Sequence, residues 1–290
     1  AIALSPATFV DRDLDKHQLG GKVSWTPPGD TSEIAEYFVF FEKFGVYAGR
    51  SQLASVPVGT NVLTFAADHN ILQWSHVSVY AKSALALQTS SGAMTTAGDT
   101  DASVSGIIFD DLDLDAGELG SVAQWSEPAD VAQVDGYAVY LATTADGTGN
   151  SQIGTTLPLG TNEVAVLADT QHASFLHLVV YSRSTLAEQT TPVAVVLSDA
   201  VASAATLAFE DLDLDAFEIG GVVTWESPAG ADAALVQAYA AYLATDVEGS
   251  GLTSLGLDVP VGTNLIFVPA ETSAAPVASH VVVYTKSSLA

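Results

Sequence analysis

The sequence predicts an all-β chain of three tandem antiparallel β-sandwiches. Three observations carry this: a period of about 100 residues, apolar residues that alternate with period two, and Pro and Gly punctuation at matching places in each period. Phe9, Phe109 and Phe209 open the same segment three times. The second copy, Phe109 to Trp125, and the third, Phe209 to Trp225, are identical at 11 of 17 positions. A fixed period marks an array of one folding unit. Arrays serve as spacers, stalks, filaments or extended binding surfaces more often than as single catalytic pockets.

Each element has a local reason. Val122-Ala-Gln-Trp125 reads as a strand stopped by Pro128, and its equivalents stop at Pro27-Pro28 and Pro228, because Pro cannot donate to a ladder. Tyr37–Phe41, Gly136–Leu141 and Tyr239–Leu243 read as the next strand, rich in aromatic and β-branched residues. Val56-Pro-Val-Gly-Thr60, Leu157-Pro-Leu-Gly-Thr161 and Val259-Pro-Val-Gly-Thr263 repeat a turn whose Gly supplies positive φ. His177-Leu-Val-Val-Tyr181 and His280-Val-Val-Val-Tyr284 read as a late buried strand. Seven short strands per unit make a sandwich. Length alone, 290 residues, suggests about two domains; the period overrules it.

The expected organisation is residues 1–5 as the final strand of a preceding repeat, 6–105 as repeat 1, 106–200 as repeat 2 and 201–290 as repeat 3, lacking its final strand. The second copy continues from Ala187 into an apolar run, Val193 to Leu197, whereas the third reaches Ala290 at the corresponding point. Ala1-Ile-Ala-Leu-Ser5 looks like Ala194-Val-Val-Leu-Ser198. Two expectations follow: a window on a longer array, or a first strand donated to another molecule's open third domain.

Trp followed by Pro, then a Tyr-X-Val-Tyr strand, then a late Val-Val-Tyr strand resembles the fibronectin type III family across nearly all of the chain. The resemblance implies an immunoglobulin-like sandwich, with Trp25, Trp125 and Trp225 as the core Trp of the second strand and Tyr37, Tyr137 and Tyr239 opening the third. The chain departs from that family at His76, His177 and His280, where a Tyr is expected. Repetition gives these His a structural role, a hydrogen bond at the sheet corner. No Arg-Gly-Asp tripeptide is present, so integrin-type adhesion finds no support.

Hydrophobic residues make up 48% of the chain, enough for each unit to bury a core. No stretch approaches 18 consecutive apolar residues, so membrane insertion is not expected. There is no cysteine, which removes thiol catalysis and zinc-thiolate sites. The net charge is −26 and uneven: residues 1–82 hold 8 acids and 6 bases, residues 83–290 hold 26 acids and 2 bases. Such a surface repels nucleic acid and anionic membranes. Salt near seawater strength screens it over roughly 3–5 Å, so an extracellular or cell-surface place in a saline environment is expected.

The strongest constellation is acidic. Asp111, Asp113, Asp115 and Glu118 recur as Asp211, Asp213, Asp215 and Glu218, and in the first copy as Asp11, Asp13 and Asp15 with Gln18 in place of the Glu. Asp at alternating positions followed by an acid is how loops wrap oxygen around Ca²⁺. The spacing is not that of an EF-hand. The alternative is an edge strand whose leucines pack inward and whose acids, in solvent, block edge pairing. A base also recurs, as Lys82, Arg183 and Lys286; its expected partner is an acid of its own or the neighbouring repeat. No catalytic motif is present: no Gly-X-Ser-X-Gly, phosphate-cradling Gly loop or His-Glu-X-X-His. The expected function is structural and not enzymatic: a stalk, surface layer or self-assembling filament, calcium-stiffened at repeat junctions, whose partners are copies of itself or adjacent repeats. The rival is an adhesion or binding module that takes a glycan or partner protein on sandwich-end loops such as Thr143–Gly149 and Thr245–Gly251.

Overall fold

The computed structural model describes residues 4–43, 49–71, 73–89, 92–274 and 278–289. Among them the chain is all-β, with one short 3-10 turn at Asp232–Leu235 and no α-helix. It divides into two compact units, residues 1–108, 124–163 and 177–195 in one and 109–123, 164–176 and 196–290 in the other.

The first unit opens with β1 (Thr8–Asp11), β2 (Gln18–Ser24), β3 (Glu36–Glu42), β4 (Arg50–Pro57), β5 (Val62–Asn70), β6 (His76–Lys82) and β7 (Ala93–Thr96). They form two antiparallel sheets, ordered β1-β2-β5 and β4-β3-β6-β7. The alternation read in the sequence turns Leu19, Val23, Tyr37, Val39, Val77 and Val79 into one buried cluster between the sheets. Trp25 meets Tyr37 edge to face at 5.4 Å, a geometry favoured by the ring quadrupoles. Leu4 packs against this same core, and the Ser5 amide reaches Thr26 O at 3.4 Å. That is the register at which Ser105 meets Ser126 and Ala205 meets Glu226. The rest of the expected lone strand, Ala1–Ala3, lies outside the described residues.

The same order of elements then recurs. β8 (Ser105–Ile108), β9 (Glu118–Ser126) and β13 (Glu163–Gln171) share one sheet; β10 (Gly136–Ala142), β11 (Ser151–Gln152), β12 (Leu157–Pro158), β14 (His177–Arg183) and β15 (Val193–Val196) share another. Trp125 and Tyr137 pair at 5.7 Å.

In the second unit β16 (Ala205–Asp211), β17 (Glu218–Glu226) and β21 (Leu265–Ser273) form one sheet. β18 (Ala238–Ala244) carries β19 (Thr253–Ser254), β20 (Val259–Pro260) and β22 (His280–Lys286). Trp225 and Tyr239 pair at 5.3 Å within its core. β22 pairs with β18, and among the described residues no strand pairs with its other edge. β6 has β7 there and β14 has β15.

One element differs between the copies. β4 is unbroken, but its equivalents are split into the pairs β11/β12 and β19/β20. Those copies are one residue longer, and Gly154 adopts φ 62° at the break, a conformation that interrupts a ladder.

Candidate functional site: the acidic loop and the repeat junction

The three Asp of each acidic loop do three different things. The first ties the loop to its own sheet and to the linker. Asp11 accepts from the amides of Asp13 at 3.2 Å, Gly20 at 2.9 Å and Thr100 at 2.8 Å. Asp111 repeats this with Asp113, Gly120 and Ala200 at 3.1, 2.8 and 2.9 Å. Asp211 keeps the bonds to Asp213 and Gly220, both at 3.0 Å.

The second Asp locks a left-handed residue on the strand opposite. Asp68, Asp169 and Glu271 have φ of 69°, 61° and 63°, which is costly for a residue with a Cβ. Their amides point at Asp13, Asp113 and Asp213, at 2.6, 2.8 and 2.8 Å. A charge-assisted bond to a carboxylate offsets that cost.

In the first copy the third Asp reaches another repeat, whereas Asp115 and Asp215 are exposed. Asp15 accepts from the Thr190 amide at 2.6 Å, the Thr190 hydroxyl at 3.0 Å, the Thr191 amide at 3.0 Å and the Thr191 hydroxyl. These Thr lie in the turn between β14 and β15 of the second repeat. The same turn sends Ser184 Oγ to Arg12 O at 2.5 Å and Gln189 Nε2 to Leu14 O at 2.7 Å. Leu186 closes the contact: a Cβ at Gly20 would stand 2.8 Å from Leu186 Cδ2. The opposing strand comes nearer still, with Ala67 Cα 2.6 Å from such a Cβ, so the glycine is required by its own sheet and the leucine seats beside it.

A second junction of the same design lies in the second unit. Ser287 Oγ donates to Leu112 O at 2.6 Å, and Thr285 Oγ1 donates to Ala202 O at 2.5 Å. A Cβ at Gly120 would meet Leu289 Cδ2 at 2.5 Å. Leu114 is 7% exposed and joins the cluster of Val223, Trp225, Tyr239 and Val268, the core of the third repeat. Leu14 is 1% exposed at the same place in the first loop.

In the first two copies these observations overturn the reading of the loop as a solvated edge strand; in the third, Asp211 and Asp215 remain exposed. In the first two copies the leading acids are buried and receive protein donors. Acids near enough to share an ion do occur, and such clusters can hold a metal: Asp113, Asp115 and Glu118 in one group, Asp213, Asp215, Glu218 and Glu271 in another. Glu271 beside Glu218 pushes the Glu218 carboxyl upward, while the amides of Glu271 and Asp215 hold Asp213 below the usual range.

Burial pushes Asp11 up to about 6 against the pull of its three amide donors, and burial raises Asp13 and Asp111 as well. The native state therefore holds the Asp11 proton more tightly than the unfolded chain does. Stability should fall as pH rises from about 4 to about 6 and level off above. Thermal melts across that window test this, and Asp11→Asn should flatten the slope; an unchanged slope would refute the assignment.

The recurrent bases pair inside their own repeats. Lys82 meets Glu36 at 2.6 Å, Arg183 meets Glu188 at 3.4 Å and Lys286 meets Asp258 at 2.8 Å. Exposed pairs of this kind contribute under about 1 kcal/mol. The bonds that pass from one repeat to the next come instead from the residues just beyond the second and third bases, above all Ser184 and Ser287. Spacing missed that role, although Ser-X-Leu-Ala follows all three bases, at 83–86, 184–187 and 287–290. The His series is mixed. His76 and His280 bond Ser75 and Ser279 at 2.8 Å, whereas His177 follows Leu176 and its buried Nδ1 meets no hydrogen-bond partner among the described residues.

The two sandwich-end loops differ in sequence but not in shape. Gly147 and Gly249 both have φ 83°. Thr143 and Thr245 Oγ1 donate to Thr148 O and Ser250 O at 2.7 and 3.1 Å.

No protein-family model matches the chain, and no curated protein matches it. Among solved structures it is similar to the FN1–FN3 domains of chicken CNTN1, at 12% identity over 98% of each chain and a TM-score of 0.26. A superposition at that level carries no argument; the strand order does. Sheets ordered β1-β2-β5 and β4-β3-β6-β7, with Trp on the second strand packed on Tyr of the third, are decisive. The fold is fibronectin type III-like. Among the described residues no helix is long and apolar enough to cross a membrane.

Proposed function

We propose that this chain is a structural element of the cell exterior, a segment of a stalk, surface layer or filament whose repeats are docked head to tail. The observation that carries this reading is the junction that recurs with the same parts: an acidic loop, a Ser-X-Leu-Ala turn and a bare glycine. A flexible string of binding modules has no use for a buried junction, since freely jointed domains are linked by solvated segments. The like-shaped loops at 143–149 and 245–251 also weigh against a recognition surface, where shape as well as sequence diverges. The domain layout of 6–105, 106–200 and 201–290 and a saline setting belong to the same reading.

Calcium is its finer part. The third loop gathers four acids with no base among them, a set of hard oxygen donors of the type Ca²⁺ takes. Small-angle scattering of the whole chain tests both. Asp15→Ala should broaden the distribution of interatomic distances, because the first junction loses all of its carboxylate bonds. Calcium should raise the melting of the parent but not of the Asp213→Asn, Asp215→Asn double variant. A distribution unmoved by Asp15→Ala would sink the docked-array reading. Melting unmoved by calcium in both proteins would sink only the ion.

A further inference from the structure

The three repeats share one open sheet edge and differ in what they put on it. β5, β13 and β21 each end a three-stranded sheet, and among the described residues no strand pairs with their outer side. The Trp25, Trp125 and Trp225 amides donate to the carbonyls of Asn61, Asn162 and Asn264, each at 3.1 Å, which aligns the three edges. One and three residues further on, the side chains face solvent: Val62 and Thr64, then Glu163 and Ala165, then Leu265 and Phe267. Thr64 lies across from Lys22 on the next strand, whereas Phe267 lies across from Val222. Only the third edge is wholly apolar. Leu265 is 50% exposed, Phe267 64% and Val222 41%, and no charged residue stands between Asp258 and Glu271. Repeats before and after leave this face open, because the second repeat has both and keeps Glu163 and Ala165 exposed.

The unpaired backbone of β21 faces the same way. The Asn264 carbonyl points at β17, and ladder groups alternate along a strand, so the amides and carbonyls of Leu265 and Phe267 point to the open edge. The Thr263 amide is spent on Pro260 O at 3.1 Å, and Pro269 has no amide hydrogen to offer. An apolar edge with unspent ladder groups is a template for another strand.

We propose that β21 pairs antiparallel with β21 of a second copy, making one sheet continuous across two chains. Leu265 of each copy stands across from Phe267 of the other, about a centre at Ile266, whose side chain packs on the core of its own repeat. In this register each free amide of one edge meets a free carbonyl of the other. Both Leu–Phe pairs lie on one face, beside Val222, and cross-strand pairs of this kind stabilise a sheet. A second copy is the occupant the edge fits. A basic partner finds no carboxylate there, whereas another β21 is uncharged and presents the same donors and acceptors reversed. The contact is isologous and closes at two copies. Charge elsewhere opposes it, since each chain carries −26, so pairing should strengthen with ionic strength. It is lateral, goes beyond the head-to-tail docking above, and holds whether or not the repeats are docked.

Sedimentation at seawater-like ionic strength tests the pairing. The parent's mass should rise with concentration toward twice that of one chain, and fall back when salt is lowered. Leu265→Glu, which gives the third edge the acid of the second, should stay monomeric over the same range with a circular dichroism melt like the parent's. Phe267→Thr, the residue of the first edge, should dimerise about tenfold more weakly, as both cross-strand pairs are lost; it carries the test if Leu265→Glu melts early. The chain has no cysteine, so oxidative cross-linking reads the register. A mixture of Leu265→Cys and Phe267→Cys should form a mixed disulfide. Either variant alone should cross-link far less, because like positions are offset by two residues and lie beyond disulfide reach. A parent monomeric at every concentration, a dimer that survives both Leu265→Glu and Phe267→Thr, or a mixture that cross-links no better than its components would overturn the proposal. None of these outcomes bears on the docked junction, which the scattering of Asp15→Ala reads separately.

Discussion

Leu114→Ala should destabilise the third repeat by about 2–4 kcal/mol, while Leu214→Ala, the same change at the equivalent position, should shift stability by less than about 0.5 kcal/mol. The two leucines belong to matching loops and differ only in what covers them. Leu114 lies in the cluster that holds Val223, Trp225 and Tyr239, although it is contributed by the loop of the preceding repeat. Removing its side chain leaves a cavity that the surrounding β-sheet framework cannot collapse to fill. Leu214 is 99% exposed and gives up nothing on truncation. Calorimetry of the full chain distinguishes them, and equal effects at 114 and 214 would mean that the junction is not where the energy is. Leu14→Ala, at 1% exposure, should group with Leu114.

This dependence has a mechanical consequence. A repeat whose core is completed by its neighbour's leucine is more stable docked than free, so unfolding and undocking are coupled. Solenoid arrays share that property, with stability divided between the units and their interfaces. The three Asp add direction. Asp11 and Asp111 hold the linker amides of Thr100 and Ala200, and Asp99 and Asp199 answer by accepting from the His17 and Gly117 amides at 3.0 and 2.9 Å. Each linker is thus clamped to the loop it leaves, and the next repeat is delivered to one place.

How much of this could be read from residues alone depended on range. Alternation of Val, Tyr and Leu with polar residues is local, so the strands, their antiparallel pairing and the Trp–Tyr cores were legible. The acidic spacing was legible as a repeated device but not as to its use. Asp13 serves an amide 55 residues away and Asp15 serves Thr190, 175 residues away; no spacing rule reaches that far. The signal that was available is identity across copies. Gly20, Gly120 and Gly220, together with Leu85, Leu186 and Leu289, recur without exception, and a glycine that never varies within an array reports that something approaches it closely. The broken fourth strand was hidden because a single inserted residue and Gly154 outweigh the favourable composition around them.

Asp11→Ala carries the second large effect, a loss of about 2–4 kcal/mol in the first repeat, against about 1 kcal/mol for Asp211→Ala. Asp11 is buried and three amides converge on it, from its own loop, from β2 and from the linker. Its removal strands all three donors out of reach of water. Asp211 is exposed and serves two amides, which solvent can partly satisfy. Asp11→Asn should fall between, since the amide keeps one acceptor but meets the remaining N–H groups with an NH₂. The pH dependence separates a structural carboxyl from a merely acidic surface. Burial has raised Asp11 to about 6, so the parent gains stability on acidification from pH 7 to pH 5 while Asp11→Ala, with nothing to protonate, does not. The gap between parent and variant should therefore widen at pH 5. A gap that narrows would mean that the carboxyl prefers its charged form in the fold, with the three amides outweighing burial.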